Sequence, residues 1–197
     1  MKLDSFLAEP EETQTPKVFH YLTHSKAMGV LWSALRIWLG AMWIEAGVAK
    51  LWGAENVAFL HNNGAAVAGF ASHGIPAYSW WGSFLHGFVV PNAGWIAILV
   101  AVAEFLVGLG LALGLLTPAA AVAGVLLNFT YVMSGTASVN AFYALIAIII
   151  LVTWRTSSEI GLDGFIRAYR QTHGGRLFKK NVFGGLAKVK ESTPKVA

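Results

Sequence analysis

The chain has 197 residues, 56% hydrophobic and only 12% charged, whereas a soluble domain carries about 25% charged residues. It has 14 Lys+Arg against 10 Asp+Glu. None of the basic residues falls between Leu51 and Trp154, and most follow Arg155, so the positive balance points to a membrane surface and not to nucleic acid. The absence of cysteine excludes thiolate catalysis, disulfide exchange, Cys-held iron–sulfur clusters and covalent c-type haem.

In chain order, residues 1–27 are polar and contain Pro10 and Pro16. They lack the apolar core of a signal peptide and read as a cytoplasmic arm. Residues 28–156 carry four apolar spans: Met28–Trp52, Ala93–Leu116, Pro118–Met133 and Val139–Trp154. A spanning helix needs about 20 apolar residues, with about 17 as the lower end. The first two spans qualify, and the last two need their flanks. The tight connection "GLLTP" offers Thr117 as a helix cap and Pro118 for the first turn. The roughly forty-residue loop Gly53–Asn92 includes "SWWGSFLHGFVVP". It is too apolar for a solvent loop and reads as an interfacial segment lying on the bundle, with Trp80 and Trp81 at headgroup level.

Basic residues flank the outermost spans, which predicts cytoplasmic termini and an outer loop by the positive-inside rule. Residues 157–197 form a basic tail. Within it "GLDGFIRAYR" places Leu162, Phe165, Ile166 and Tyr169 on one helical stripe, as in a helix lying on anionic lipid. The fold expected is all-α: an integral membrane four-helix bundle with an apolar outer loop segment and an amphipathic cytoplasmic helix.

Within the first span, Arg36, Gly40, Trp43, Gly47 and Lys50 share a face at 100° per residue, and Glu45 lies nearly opposite. Charge facing lipid is costly, so the Arg36 face should look inward. Lys50, near the outer interface, is best read as snorkelling. Glu104 lies mid-way along the second span. Arg36 is its expected partner, and together they form the candidate catalytic pair, with a static ion pair as the purely structural alternative. Asn128, Tyr131 and Asn140 on the third and fourth spans join Lys50 and Glu45 as candidate substrate- or quinone-binding groups. For Asn128 and Asn140, interhelical hydrogen bonding is the structural alternative. His61, His73 and His86 lack a metal-ligand spacing, and no metal or haem is expected.

The order "RIWLGAMWIEAGVAKLW", "AEFLVGLGLALGLLTPAAA", "NFTYVMSGTASVNAFY" resembles the DoxX/DoxD membrane proteins over about Leu31–Trp154. The resemblance implies a four-helix membrane bundle in the plasma or inner membrane. Arg36, Lys50, Glu104, Asn128 and Asn140 then stand at recurring polar positions of the family. The DoxD branch implies oxidation of thiosulfate, or a related sulfur oxyanion, with membrane quinone as electron acceptor and a small DoxA-like subunit as partner. The DoxX branch implies a non-catalytic scaffold for a redox or thiol-stress complex. Self-association is left open.

Overall fold

The computed structural model describes residues 16–172 apart from Gly74. Residues 1–15 of the expected arm, and the basic tail after Thr172, lie outside the described residues. All described elements are helical: α1 (Lys17–His24), α2 (Lys26–Leu51), α3 (Ala65–Ser72), α4 (Trp80–Phe84), α5 (Ala93–Leu113), α6 (Thr117–Met133), α7 (Ala137–Val152) and α8 (Trp154–Ser157). A last helix, α9, runs over 162–172. Single π-helical turns cover Val57–His61 and Leu85–Val89. Two of the described helices, α2 and α5, are long and apolar enough to cross a membrane; α6 and α7 are shorter apolar helices.

The long helices end where their sequences dictate. Ser25 sits in extended backbone, and its side chain accepts from the Met28 amide to start α2. Gly114 adopts φ +65 after α5, and the Leu115 amide returns to the Gly110 carbonyl. This is a glycine-closed C-terminus that a β-carbon would strain.

The long helices enclose one core. It is formed by Leu39 and Trp43 of α2, Val107 and Leu111 of α5, Ala121 of α6, and Ile146, Ala147 and Ile150 of α7. Helices α2 and α5 approach closely and antiparallel because Gly40 lies against Ala112 and Gly108. A β-carbon at Gly40 would come 2.5 Å from the Ala112 nitrogen. One consequence is a stagger. With Gly40 level with Ala112, Arg36 is level with the C-terminus of α5, and the first residues of α2 overhang it. The overhang is covered by α8 and the chain after it: Ser33 Oγ donates to the Ser157 carbonyl at 2.9 Å, and Ser157 and Ser158 are fully buried. The packed body thus continues past residue 156.

The Gly53–Asn92 stretch forms α3, α4 and the two π turns, folded over the opposite end of the bundle. We call this the loop end; the other, where α1, α8 and α9 meet, is the terminal end. Trp81 Nε1 donates to Ser134 Oγ at 3.1 Å, fixing the stretch to the α6–α7 turn, while Trp80 stays 72% exposed. In α9 the stripe Leu162, Phe165, Ile166 and Tyr169 is exposed. Arg167 turns back to the Arg155 carbonyl and to Ser158 Oγ.

Candidate functional site

Beneath the loop end lies a cavity of about 620 Å³. Its roof is Phe59, Val67, Phe70, Trp81, Phe84 and Phe88, and its sides are Trp43, Trp95, Leu99 and Tyr143. The long apolar loop is therefore the lid of a chamber. Its aromatic side chains are satisfied by packing on one another: Trp81 stacks on Phe84, and Phe84 on Phe88.

Polar groups gather on one wall. Glu104, 3% exposed, takes the Lys50 ammonium at 2.9 Å on Oε2 and the Tyr131 hydroxyl at 2.7 Å on Oε1. The contact on Oε2 is ionic and not an aligned hydrogen bond, so that oxygen keeps capacity for a further donor. Lys50 also lies 3.7 Å from Glu55 and over the Phe59 ring at 5.2 Å to its centroid. Among the described residues lining the cavity, Lys50 and Glu104 are the charged ones. Asn140 lines it too, with its Nδ2 spent on the Thr136 carbonyl and hydroxyl, both at 2.9 Å.

The expected Arg36–Glu104 pair does not form. Arg36 is fully buried at the terminal end. Its Nε donates to the Ser157 carbonyl at 3.0 Å and its Nη2 to the Ile160 carbonyl at 2.6 Å. Nη1 donates to the Leu111 and Ala112 carbonyls. The stagger of α2 on α5 explains the difference. Glu104 is level with Gly47, which faces Phe105, and eleven helical residues from Arg36 amount to about 16 Å. Arg36 instead closes the C-terminus of α5, where unpaired carbonyls carry partial negative charge. The partner of Glu104 is Lys50, whose side chain turns inward from the interface it was expected to reach.

Two further candidates stand elsewhere. Glu45 is exposed on the outer side of α2 and does not line the cavity. Asn128 is fully buried in the core, one turn below Tyr131. Its Nδ2 donates to the Gly124 carbonyl at 2.9 Å, and its Oδ1 is unpaired. His61 and His73 are exposed, His86 is half-buried, and none faces the cavity.

Asp163 replaces Thr117 as the cap of α6. Its carboxylate accepts from the Leu116 amide at 2.9 Å and the Thr117 amide at 2.8 Å. Burial alone would raise its pKa. The Thr117 and Leu116 amides and nearby Arg167 outweigh burial and hold the carboxyl below its ordinary range. Sequence spacing does not reveal this contact, because the cap is donated from another segment.

Comparison with known proteins follows the same stretch of chain. No curated protein and no solved structure matches. The DoxX family model matches residues 31–137, over half of the chain, from the first third of α2 through the cavity and its polar wall to the start of α7. The protein belongs to the DoxX family of membrane proteins.

Proposed function

We propose that the protein is a membrane oxidoreductase, or the membrane subunit of one, that passes electrons from a small sulfur compound to quinone at the Glu104 cavity. Thiosulfate is the favoured donor, by the DoxD resemblance. The observation that carries the reading is the Lys50–Glu104–Tyr131 cluster set in the wall of an otherwise apolar, aromatic chamber. Such a chamber, of about 300–1,000 Å³ with a few convergent polar groups, is the usual form of a small-molecule site.

Four spans fit the surface. On α5 the exposed residues Trp95, Ile98, Leu99, Val102, Leu106, Leu109 and Leu113 are apolar throughout, a continuous patch that water would penalise and lipid would not. With basic residues at the chain ends, the terminal end is cytoplasmic and the loop end is outside.

The residues fit a quinone head group. Aromatic walls would hold the ring, and Lys50 Nζ is the donor within reach of a ring carbonyl, the Tyr131 hydroxyl being given to Glu104 Oε1. When bound, a quinone accepts two electrons and two protons. Glu104 is the group that would hold a proton, and Lys50 balances its charge while the carboxylate is ionised. Lys50 is also the cation that would draw a sulfur oxyanion to the cavity, so one ammonium serves both recognition tasks. Purified protein in quinone-containing membranes should reduce a quinone analogue with thiosulfate as donor. No turnover with folded protein and a small partner subunit both present would refute the oxidoreductase reading.

The second reading is a scaffold that recruits a redox partner. The basic residues that follow Thr172 favour it. Truncation after Thr172 spares buried Ser157 and Ser158 and the Asp163 cap and tests it: a scaffold that docks through the basic tail loses its partner, whereas an enzyme keeps its turnover.

A further inference from the structure

We infer that Glu55, held beside Lys50, carries protons between buried Glu104 and the aqueous phase at the loop end, and that Glu104 has no corresponding route toward the terminal end. The inference rests on the reading of Glu104 as the proton-holding group.

Lys50 Nζ is the shared partner of two carboxylates in different surroundings. Glu104 Oε2 lies 2.9 Å away on a side chain 4% exposed, and Glu55 Oε2 lies 3.7 Å away on a side chain 53% exposed. The Lys50 side chain is 14% exposed. The backbone holds Glu55 in place. After α2 ends at Leu51 the chain folds back, with the Glu55 amide on the Ala49 carbonyl at 3.2 Å and Asn56 Nδ2 on the Leu51 carbonyl. Phe59, whose ring faces the ammonium, follows one turn later. The ionisable groups facing Glu104 are Lys50 from α2 and Tyr131 from α6, with Glu55 behind Lys50; among the described residues, no histidine lines the cavity.

Toward the terminal end, Leu39, Leu111 and Ala121 are fully buried. Asn128 and the Trp43 indole lie in the same core, and neither Asn128 Oδ1 nor Trp43 Nε1 has a hydrogen-bond partner. Arg36 beyond them is fixed on carbonyls. A proton travelling between Arg36 and Glu104 would cover about 16 Å with no side-chain link to Glu104 from that side, since the partners of Glu104 are Tyr131 and Lys50.

The step balances with water as co-reactant. The Glu55 carboxylate takes a proton from bulk water and passes it to a water at the cavity mouth. That water gives a proton to Glu104 Oε2, an oxygen lone pair of the carboxylate forming the new O–H bond. Lys50 remains an ammonium throughout. It leans toward Glu55 while Glu104 is protonated and returns to Glu104 when the carboxylate re-forms.

The test reads the carboxyl group itself and needs no turnover, so it fails separately from the oxidoreductase reading. In oriented proteoliposomes with the pH set independently on each side, infrared difference spectroscopy follows the protonated-carboxyl band that Glu104→Gln abolishes. The band should respond to acidification at the loop end and not at the terminal end. Glu55→Gln, at an exposed position, should slow the response to a pH jump by at least about tenfold, and Glu55→Asp should restore most of the rate. The inference is overturned by a band that follows the pH of the terminal end, by one that appears from neither side, or by an unchanged rate in Glu55→Gln.

Discussion

Lys50 of α2 and Glu104 of α5 meet at 2.9 Å inside the helical body, with the Tyr131 hydroxyl on the other oxygen of the same carboxylate. A double-mutant cycle on Lys50→Met and Glu104→Gln should give a coupling of about 0.5–3 kcal/mol, the range for residues in contact. The same cycle on Arg36 and Glu104 should give a value near zero. Unfolding in detergent, followed by helix signal, measures both.

Arg36 holds the terminal end together through carbonyls of α5 and of the chain after α8. Arg36→Ala should destabilise the fold by about 3–5 kcal/mol, because several buried acceptors lose their donor together. Arg36→Lys should recover little of this, since an ammonium cannot reproduce the planar fan of donors. Whatever activity remains should scale with the amount of folded protein, which size-exclusion chromatography and a specific-activity assay can compare.

Tyr131→Phe removes a hydrogen bond to a charged acceptor and should cost about 1.5–3 kcal/mol. The ring contact with Phe70, 6.3 Å between centroids, is kept, so the lid should stay closed. Protection of the Val67–Ala71 amides from hydrogen exchange should be close to wild type. Marked deprotection there would mean that the hydroxyl positions the lid and does not serve Glu104.

The long helices and the inward face of α2 were legible in the sequence, because apolar runs and a 100° periodicity are local properties. Gly40 and Gly47 stand on that face, where small residues let a neighbouring helix approach closely. The partner of Glu104 was not legible. It depends on how far α2 slides along α5, and that is set by Gly40 against Ala112 together with the cover that α8 gives the overhang. Neither contact leaves a local mark. Lys50 illustrates the same limit: its position near a helix end suited snorkelling, and only the folded-back turn at Glu55 and the aromatic lid show why it turns inward. Thr117 looked like the cap of α6 for the same reason, whereas the cap comes from Asp163, on a segment that no local pattern links to it.

Asp163 yields a pH prediction. Its folded pKa lies below the ordinary carboxylate value, so its contribution to stability is fully present above about pH 4, the unfolded value, and is lost as pH falls through the lower folded value. Asp163→Ala should remove that acid-dependent part and cost about 0.5–2 kcal/mol at neutral pH, as for a lost helix cap. Thermal unfolding of both proteins between neutral pH and pH 3 checks the sign: the gap between them should narrow on acidification.

The central claim is that the chamber beside Glu104 takes a quinone head group. A photoreactive quinone analogue, cross-linked in native membranes and located by mass spectrometry, tests it most directly. The account predicts labels on the chamber wall, on peptides containing Phe59, Phe70, Trp81 or Tyr131, competed away by excess unmodified quinone. Labels confined to the outer groove between α5 and α6, lined by Leu106, Gly110 and Ala120, or labels that excess quinone does not displace, would contradict it.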